Sequence, residues 1–186
     1  MSQPDFETVK SNWDTFEKLC GRLSDDNINT LLTTLGERLI TTPAATHDTR
    51  AGCFGGGLVQ TSLEITSKMR KIASEFYPDI PVASILKVGL LHEIGKVGTL
   101  EEDLYLEQDS DWHREKLGQF YKYNENIDKS ATPERSLYLL QHFGITLTHD
   151  EYYAIRLSQG SHLEENRFYA GSEPDLATCL QVAKRL

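Results

Sequence analysis

Apolar residues recur at steps of three and four along most of this chain, which is the period of an α-helix. In the first 40 residues the pattern runs through Phe6, Val9, Trp13 and Phe16. The stretch SDDNINTLLTTLGERLIT continues it, so we predict a second helix there. Asparagine is a favoured N-cap residue, and the N-cap of this helix is predicted at Asn27 or Asn29.

Glycines and prolines divide the rest of the pattern into further elements. Residues 41–57, with their proline and four glycines, are predicted to form a loop, and residues 58–77 a helix. The nearly all-apolar stretch 81–97 opens on Pro81, which favours the first helical turn, and predicts a central buried helix. Three more helices are predicted over residues 132–144, 148–160 and 173–186.

The stretch 104–124 is rich in aromatic residues and less periodic, and it is predicted to hold a short β-hairpin. The predicted fold class is therefore mostly α, with this small β element. A chain of 186 residues is long enough to bury a core as one domain. We predict an N-terminal helical segment over residues 1–40 that packs on a domain formed by residues 41–186.

Net charge, cysteine spacing and the length of the apolar stretches argue against several classes of protein. A formal net charge of −9 argues against a nucleic-acid-binding surface, which needs clustered Lys and Arg. Cys20, Cys53 and Cys179 lie far apart and form no C-x-x-C pair, a pattern typical of a reducing compartment. The polar start resembles no signal peptide, and no stretch approaches the roughly 18 apolar residues of a membrane helix. We expect a soluble, cytoplasmic protein without a membrane partner.

The candidate chemistry lies in LLHEIGKVG, residues 90–98, where His92 and Glu93 interrupt an apolar run. An imidazole next to a carboxylate can contribute two ligands to one metal ion. Lys96 follows at i+3 from Glu93. The sequence thus raises the hypothesis of a metal site at this point.

Three stretches in this order resemble the HD-domain superfamily of metal-dependent phosphohydrolases, most of all small stand-alone members from bacteria and phages. They are GGLVQTSLEIT (56–66), LKVGLLHEIGKVG (86–98) and SLYLLQHFGITLTHDEYYAIRLSQG (136–160), followed by EPDLATCLQVA. The resemblance covers about residues 43–186. It implies a helical bundle, and a pocket in which family members hold divalent metal ions and hydrolyse phosphoesters. It also implies that Lys96 faces the phosphate pocket; the alternative is a surface lysine.

The residues at the implied ligand positions depart from the family pattern. His92 is retained, and Glu93 replaces the aspartate of the His-Asp pair. The positions of the other implied ligands carry Thr61, Thr132 or a neighbour, Ser158, and Lys184. A catalytic metal needs about three protein ligands and an open position for water, so we expect no bound metal cofactor.

The lysine suggests what replaces the metal. An unpaired carboxylate in an apolar helix would have to be protonated or find a cation. We therefore predict an ion pair between Glu93 and Lys184, and roughly 3 kcal/mol of destabilisation for Lys184→Ala. The positions of Thr61, His92 and Ser158 are expected to converge with Lys184 on one concave region.

Two functions remain open. In the first, the chain is a non-catalytic HD-like module, whose pocket of Arg50, Thr61, His92, Glu93, Lys96, Ser158 and Lys184 binds a nucleotide or another phosphorylated small molecule. Alternatively, such a module binds a protein partner, for which the aromatic residues of 112–123 are suited. In the second, it is an active phosphohydrolase that holds Mn²⁺, Fe²⁺ or Mg²⁺ with the non-standard set His47, Asp48, His92 and Glu93, and uses Lys96 in catalysis.

Overall fold

The computed structural model describes residues 4–186, and most of them lie in helices, as the apolar periodicity predicts. Two short 3₁₀ segments cover Ile94–Val97 and Glu164–Tyr169. The α-helices are α1 (Phe6–Gly21), α2 (Asp26–Thr41), α3 (Gly57–Phe76), α4 (Val82–Leu91), α5 (Asp111–Leu117), α6 (Thr132–His142), α7 (His149–Arg156) and α8 (Asp175–Arg185).

The start of α2 differs from the predicted one. Its N-cap is Asp25, whose carboxylate accepts a hydrogen bond from the Asn27 backbone N–H at 2.9 Å. The Asn27 side chain instead donates to the Gly144 carbonyl at 2.9 Å. The prediction of Asn27 or Asn29 as N-cap was wrong because Asp25, a residue equally suited to the role, occupies the position before the first turn.

The predicted central helix is shorter than its apolar run. Pro81 is the N-cap of α4 rather than a residue of its first turn, and α4 ends at Leu91. His92 and Glu93 follow in a turn that leads into the 3₁₀ segment. The 3₁₀ segment then packs closely against α6 at Gly95, where an added Cβ would lie 2.6 Å from the Ser136 backbone nitrogen.

The predicted β element is present as two antiparallel strands, β1 (Tyr105–Glu107) and β2 (Tyr121–Tyr123). Tyr105 pairs with Tyr123. The connection between the strands is longer than in a simple hairpin and contains α5, none of whose residues is buried. This sheet and α5 therefore form an excursion from the helical body.

The core of the helical body is one cluster that includes residues from both ends of the described chain. It contains Phe16 of α1, Leu35 of α2, Leu91 of α4 and Leu180 of α8. Helix α3 packs against α4 and α8, and α6 packs against the first 3₁₀ segment. Within residues 4–186, none of the helices has the length and apolar character that a membrane crossing requires.

Candidate functional site

A cavity of about 630 Å³ opens where six parts of the fold meet. They are the loop after α2, the turn after α4, the small sheet, the start of α6 at Thr132, the segment after α7 and the C-terminal part of α8. Among the residues that line the cavity are Arg50, Glu93, Lys96, Tyr105, Tyr123, Ser158, Gln159, His162, Gln181, Lys184 and Arg185. Its size is typical of a pocket for a small molecule.

The centre of the lining is an ion-pair triad, formed by Lys96, Glu93 and Lys184. The Lys96 ammonium donates to Glu93 Oε2 at 2.6 Å, and the Lys184 ammonium donates to Glu93 Oε1 at 2.8 Å. The three side chains keep only 14, 13 and 20 % of their surface exposed, in that order. The structure thus confirms the predicted pair of Glu93 and Lys184, and adds Lys96 as a second partner.

Local folding explains why these side chains meet. The turn after α4 brings Glu93 to the cavity, and the 3₁₀ segment places Lys96 three residues later on the same side. The Gly95 backbone N–H donates to Ser136 Oγ at 2.9 Å, which fixes this segment against α6. Lys184 comes from the last turn of α8.

The two ammonium groups determine the charge state of Glu93. Burial alone would raise the pKa of the Glu93 carboxyl, but the nearby ammonium groups of Lys96 and Lys184 outweigh burial and hold that pKa well below its usual range. Glu93 is therefore ionised at any physiological pH. The triad carries one net positive charge.

His92 lies beside the triad but is fully buried and does not line the cavity. Its Nδ1 lies 3.1 Å from the carbonyl oxygens of Val88 and Gly89, so Nδ1 carries the proton. Nε2 has no hydrogen-bond partner among the described residues. Burial, reinforced by the positive charge of Lys184, lowers the pKa of His92 to about 4, and the imidazole is neutral near pH 7.

The charge of the lining is opposite to that of the whole chain. Arg50, Lys96, Lys184 and Arg185 supply four positive charges, and Glu93 supplies the one negative charge, so the lining carries +3 with histidine neutral. The chain as a whole carries −9. A concave region of such charge concentrates anions, because low-dielectric walls focus the field into the cleft.

The other residues of the predicted pocket have different positions. Ser158 lines the cavity, but Thr61 does not. The Thr61 hydroxyl donates to the Gly57 and Leu58 carbonyls of its own helix, at 2.9 and 3.1 Å. Of the four positions expected to converge, the cavity lining brings together Ser158 and Lys184, with His92 behind it.

His47 and Asp48, which were candidates for a non-standard metal set, lie in the loop before α3 and do not line the cavity. The His47 Nδ1 lies 2.9 Å from Thr46 Oγ1, and the Asp48 backbone N–H donates to the Gly118 carbonyl at 2.9 Å. Across residues 4–186, no three His, Cys, Asp or Glu side chains are grouped to hold a metal ion.

The donor set does not fit the divalent metal that the resemblance implies. Thr61 and Ser158 offer hydroxyl groups where imidazoles would be required, and both oxygens of Glu93 already accept hydrogen bonds from ammonium groups. A divalent ion near Glu93 would also lie close to the positive charges of two lysines, which repel it. These side chains are therefore better suited to an anion than to a metal ion.

Several residues that line the cavity were not predicted from the sequence. Arg185, His162, Gln181 and Tyr105 reach the cavity only because distant segments fold together. Arg185 could have been predicted, because it directly follows Lys184 and two adjacent cations at the end of a helix can border the same cleft. The exposed His162 carries no local signal at all.

No protein-family model matches this chain, and no curated protein or solved structure matches it either. The resemblance to HD-domain proteins therefore depends on the three sequence stretches alone.

Proposed function

We propose that this protein is a non-catalytic, HD-like module that binds a phosphorylated small molecule, such as a nucleotide, in the cavity around Glu93. The cavity would serve as a regulatory or sensory site rather than as a site of hydrolysis. The observation that carries the proposal is the net positive charge of this lining in a chain of net charge −9.

The nature of the donors supports a phosphate ligand. Lys96 and Lys184 are held in place by Glu93, so little side-chain entropy is lost when they bind an anion. Arg50 and Arg185 lie on the same lining and offer the planar guanidinium groups that suit phosphate oxygens. Tyr105 and Tyr123, with ring centroids 5.3 Å apart, add an aromatic wall.

The experiment is a calorimetric titration with AMP and ribose 5-phosphate, on the native protein and on an Arg50→Gln, Arg185→Gln double variant. Both arginines are exposed, so the double variant should fold normally. We expect affinity for both ligands to fall by about tenfold or more, because charged hydrogen bonds are lost. The matched control replaces the exposed Arg22 and Arg70 by glutamine and should leave affinity unchanged.

Absence of binding for both ligands and for their relatives among sugar and nucleoside phosphates would contradict the proposal. The non-catalytic part has its own measurement: elemental analysis of the purified protein and a phosphatase assay with added Mn²⁺ or Mg²⁺. Near one equivalent of bound metal, together with hydrolysis that His92→Ala abolishes, would favour the active phosphohydrolase instead.

The protein-interaction alternative depends on α5. Trp112 and Leu117 of this helix are 59 and 46 % exposed, but singly exposed apolar side chains are common on protein surfaces and do not by themselves indicate a partner. Nothing in residues 4–186 identifies what would cover them, so the proposal stays with the cavity.

A further inference from the structure

We infer that the cavity binds a phosphate group in its singly protonated, monoanionic form, and that the Glu93 carboxylate selects this form. The inference deepens the proposed function and rests on it. It follows from the pattern of donors and acceptors that the triad of Lys96, Glu93 and Lys184 presents.

The Glu93 carboxylate has spare acceptor capacity. A carboxylate offers about four lone-pair positions, and in the described residues each Glu93 oxygen accepts one hydrogen bond, from one lysine. Glu93 lines the cavity and keeps 13 % of its side-chain surface exposed. The triad therefore presents a donor, an acceptor and a second donor side by side.

A ligand that contacts both ammonium groups also meets the carboxylate between them. A fully ionised phosphate or a sulfate has acceptor oxygens only, and one of them would face the ionised carboxylate without a proton between them, which is strongly unfavourable. A monoprotonated phosphate has one O–H group to donate to Glu93, while its other oxygens accept from Lys96 and Lys184. The three groups of the triad are then all satisfied.

The groups around Glu93 keep its carboxyl group ionised, so that it can only accept hydrogen bonds. Lys96 faces it from the 3₁₀ segment, Lys184 from α8, and Tyr105 from β1, with His92 buried behind it. The remaining charged or titratable groups on the lining are Arg50, Tyr123, His162 and Arg185. Of all these, histidine is the type that ordinarily changes charge between pH 5 and 8, so His162 must be controlled.

The test compares two ligands of the same shape and charge, methyl phosphate and methyl sulfate, at pH 5.5. Methyl sulfate is a monoanion there and methyl phosphate is mostly one, since a phosphate monoester loses its second proton with a pKa of about 6, but only methyl phosphate has an O–H. Affinities are measured by NMR titration of the full chain. We expect methyl phosphate to bind about 10- to 100-fold more tightly, the ratio that one charged hydrogen bond supplies.

Glu93→Gln removes the charge that requires a donor, and its amide N–H can itself donate to a sulfate oxygen. The preference should fall to about threefold or less in this variant, whereas the matched control Glu115→Gln, on the exposed helix α5, should retain it. If Glu93→Gln does not fold, the two-ligand comparison and the pH series on the native protein still decide the question.

The pH series uses methyl phosphate between pH 5.5 and 8.5. Above pH 7 the affinity should fall about tenfold per pH unit, because the monoanion becomes scarce in that proportion. The same slope is expected in His162→Asn. Equal affinity for the two esters, or an affinity that rises with pH to a plateau, would overturn the inference while leaving the proposed function intact. No binding of either ester would count against the proposed function itself, and with it this inference.

Discussion

Two carboxylates in this fold, the buried Glu151 and the half-buried Glu93, have different surroundings. The Glu151 side chain is 3 % exposed and accepts three hydrogen bonds: from Ser84 Oγ at 2.8 Å, from Lys87 Nζ at 3.1 Å and from the Thr148 backbone N–H at 2.9 Å. Only one of these donors is a cation. Glu151 completes a capping box with Thr148 at the start of α7, and joins that helix to α4.

Glu93 accepts from two cations and from no neutral donor in the described residues, and it borders a cavity. The fold thus supplies Glu151 with three hydrogen-bond donors and one positive charge. Glu93 has two positive charges beside its one negative charge, and it accepts only two hydrogen bonds in the described residues. The comparison distinguishes Glu151, which holds two helices together, from Glu93, which holds two cations at the wall of a cavity.

The largest effect is expected when both cations of the triad are removed. Lys96→Met with Lys184→Met leaves Glu93 buried without a counter-ion, which should lower the free energy of unfolding by about 3–5 kcal/mol. Urea denaturation at pH 7 measures it. Replacing the exposed Lys10 and Lys71 by methionine is the matched control, and adding Glu93→Met to the double variant should recover most of the loss. A loss below about 1 kcal/mol would mean that the triad is a solvated surface network.

Glu151→Ala should rank next, with a loss of about 3 kcal/mol, because it removes a cap, leaves Ser84 without its acceptor and leaves Lys87 only the Thr146 carbonyl. Affinity for methyl phosphate should not change, since Glu151 lies away from the cavity lining. If Glu151→Ala folds stably but binds methyl phosphate weakly, Glu151 supports ligand binding as well, and the two carboxylates do not differ in role.

The pH dependence of stability should report His92, which has no counterpart near Glu151. Its folded pKa of about 4 lies below the ordinary value near 6.5. The unfolded chain therefore takes up the proton first, so the contribution is complete above pH 6.5 and is lost as pH falls towards 4. The loss should approach about 3 kcal/mol. Denaturation midpoints across this range measure it, with His92→Asn expected to flatten the curve and the exposed His149→Asn expected to leave it unchanged.

The smallest effect is expected for Lys184→Met alone. The sequence alone predicted roughly 3 kcal/mol for loss of this lysine, on the assumption that Glu93 had no other partner. Because Lys96 lies 2.6 Å from the other carboxylate oxygen, the expected loss is about 1 kcal/mol. Thermal or urea denaturation distinguishes the two values. A loss as large as that of the double variant would show that Lys96 contributes nothing.

The sequence was sufficient for the helical class and, with the resemblance, for the pairing of Glu93 with Lys184, because the first follows from a local pattern and the second from an energetic necessity. A carboxylate in an apolar run requires a cation, and the resemblance indicated which helix could supply one. The end of α4 was not predictable in this way, since the apolar run continues beyond Leu91. The turn that follows leads to a close contact of Gly95 with α6, and that contact is a tertiary one.

Only some of the residues that line the cavity could be predicted from the sequence. Lys96 was expected to face a ligand, and its spacing from Glu93 was visible, but its hydrogen bond to the carboxylate depends on the turn that the sequence did not reveal. Thr61 was placed at the pocket by resemblance alone, although its hydroxyl bonds to its own helix. His162 and Gln181 reach the cavity through the packing of segments after α7 and in α8, which no local pattern specifies.

The two partners of Glu93 differ in how far along the chain they lie. Lys96 is three residues away, and Lys184 is 91 residues away. Contacts between near neighbours form quickly, while a contact that closes a long loop must wait until the intervening chain is organised. The contact of Lys184 with Glu93 can therefore form only once α8 is docked, whereas the contact of Lys96 with Glu93 requires only the turn after α4 and its packing on α6. One carboxylate thus joins a local contact to a contact that closes half of the chain into a loop.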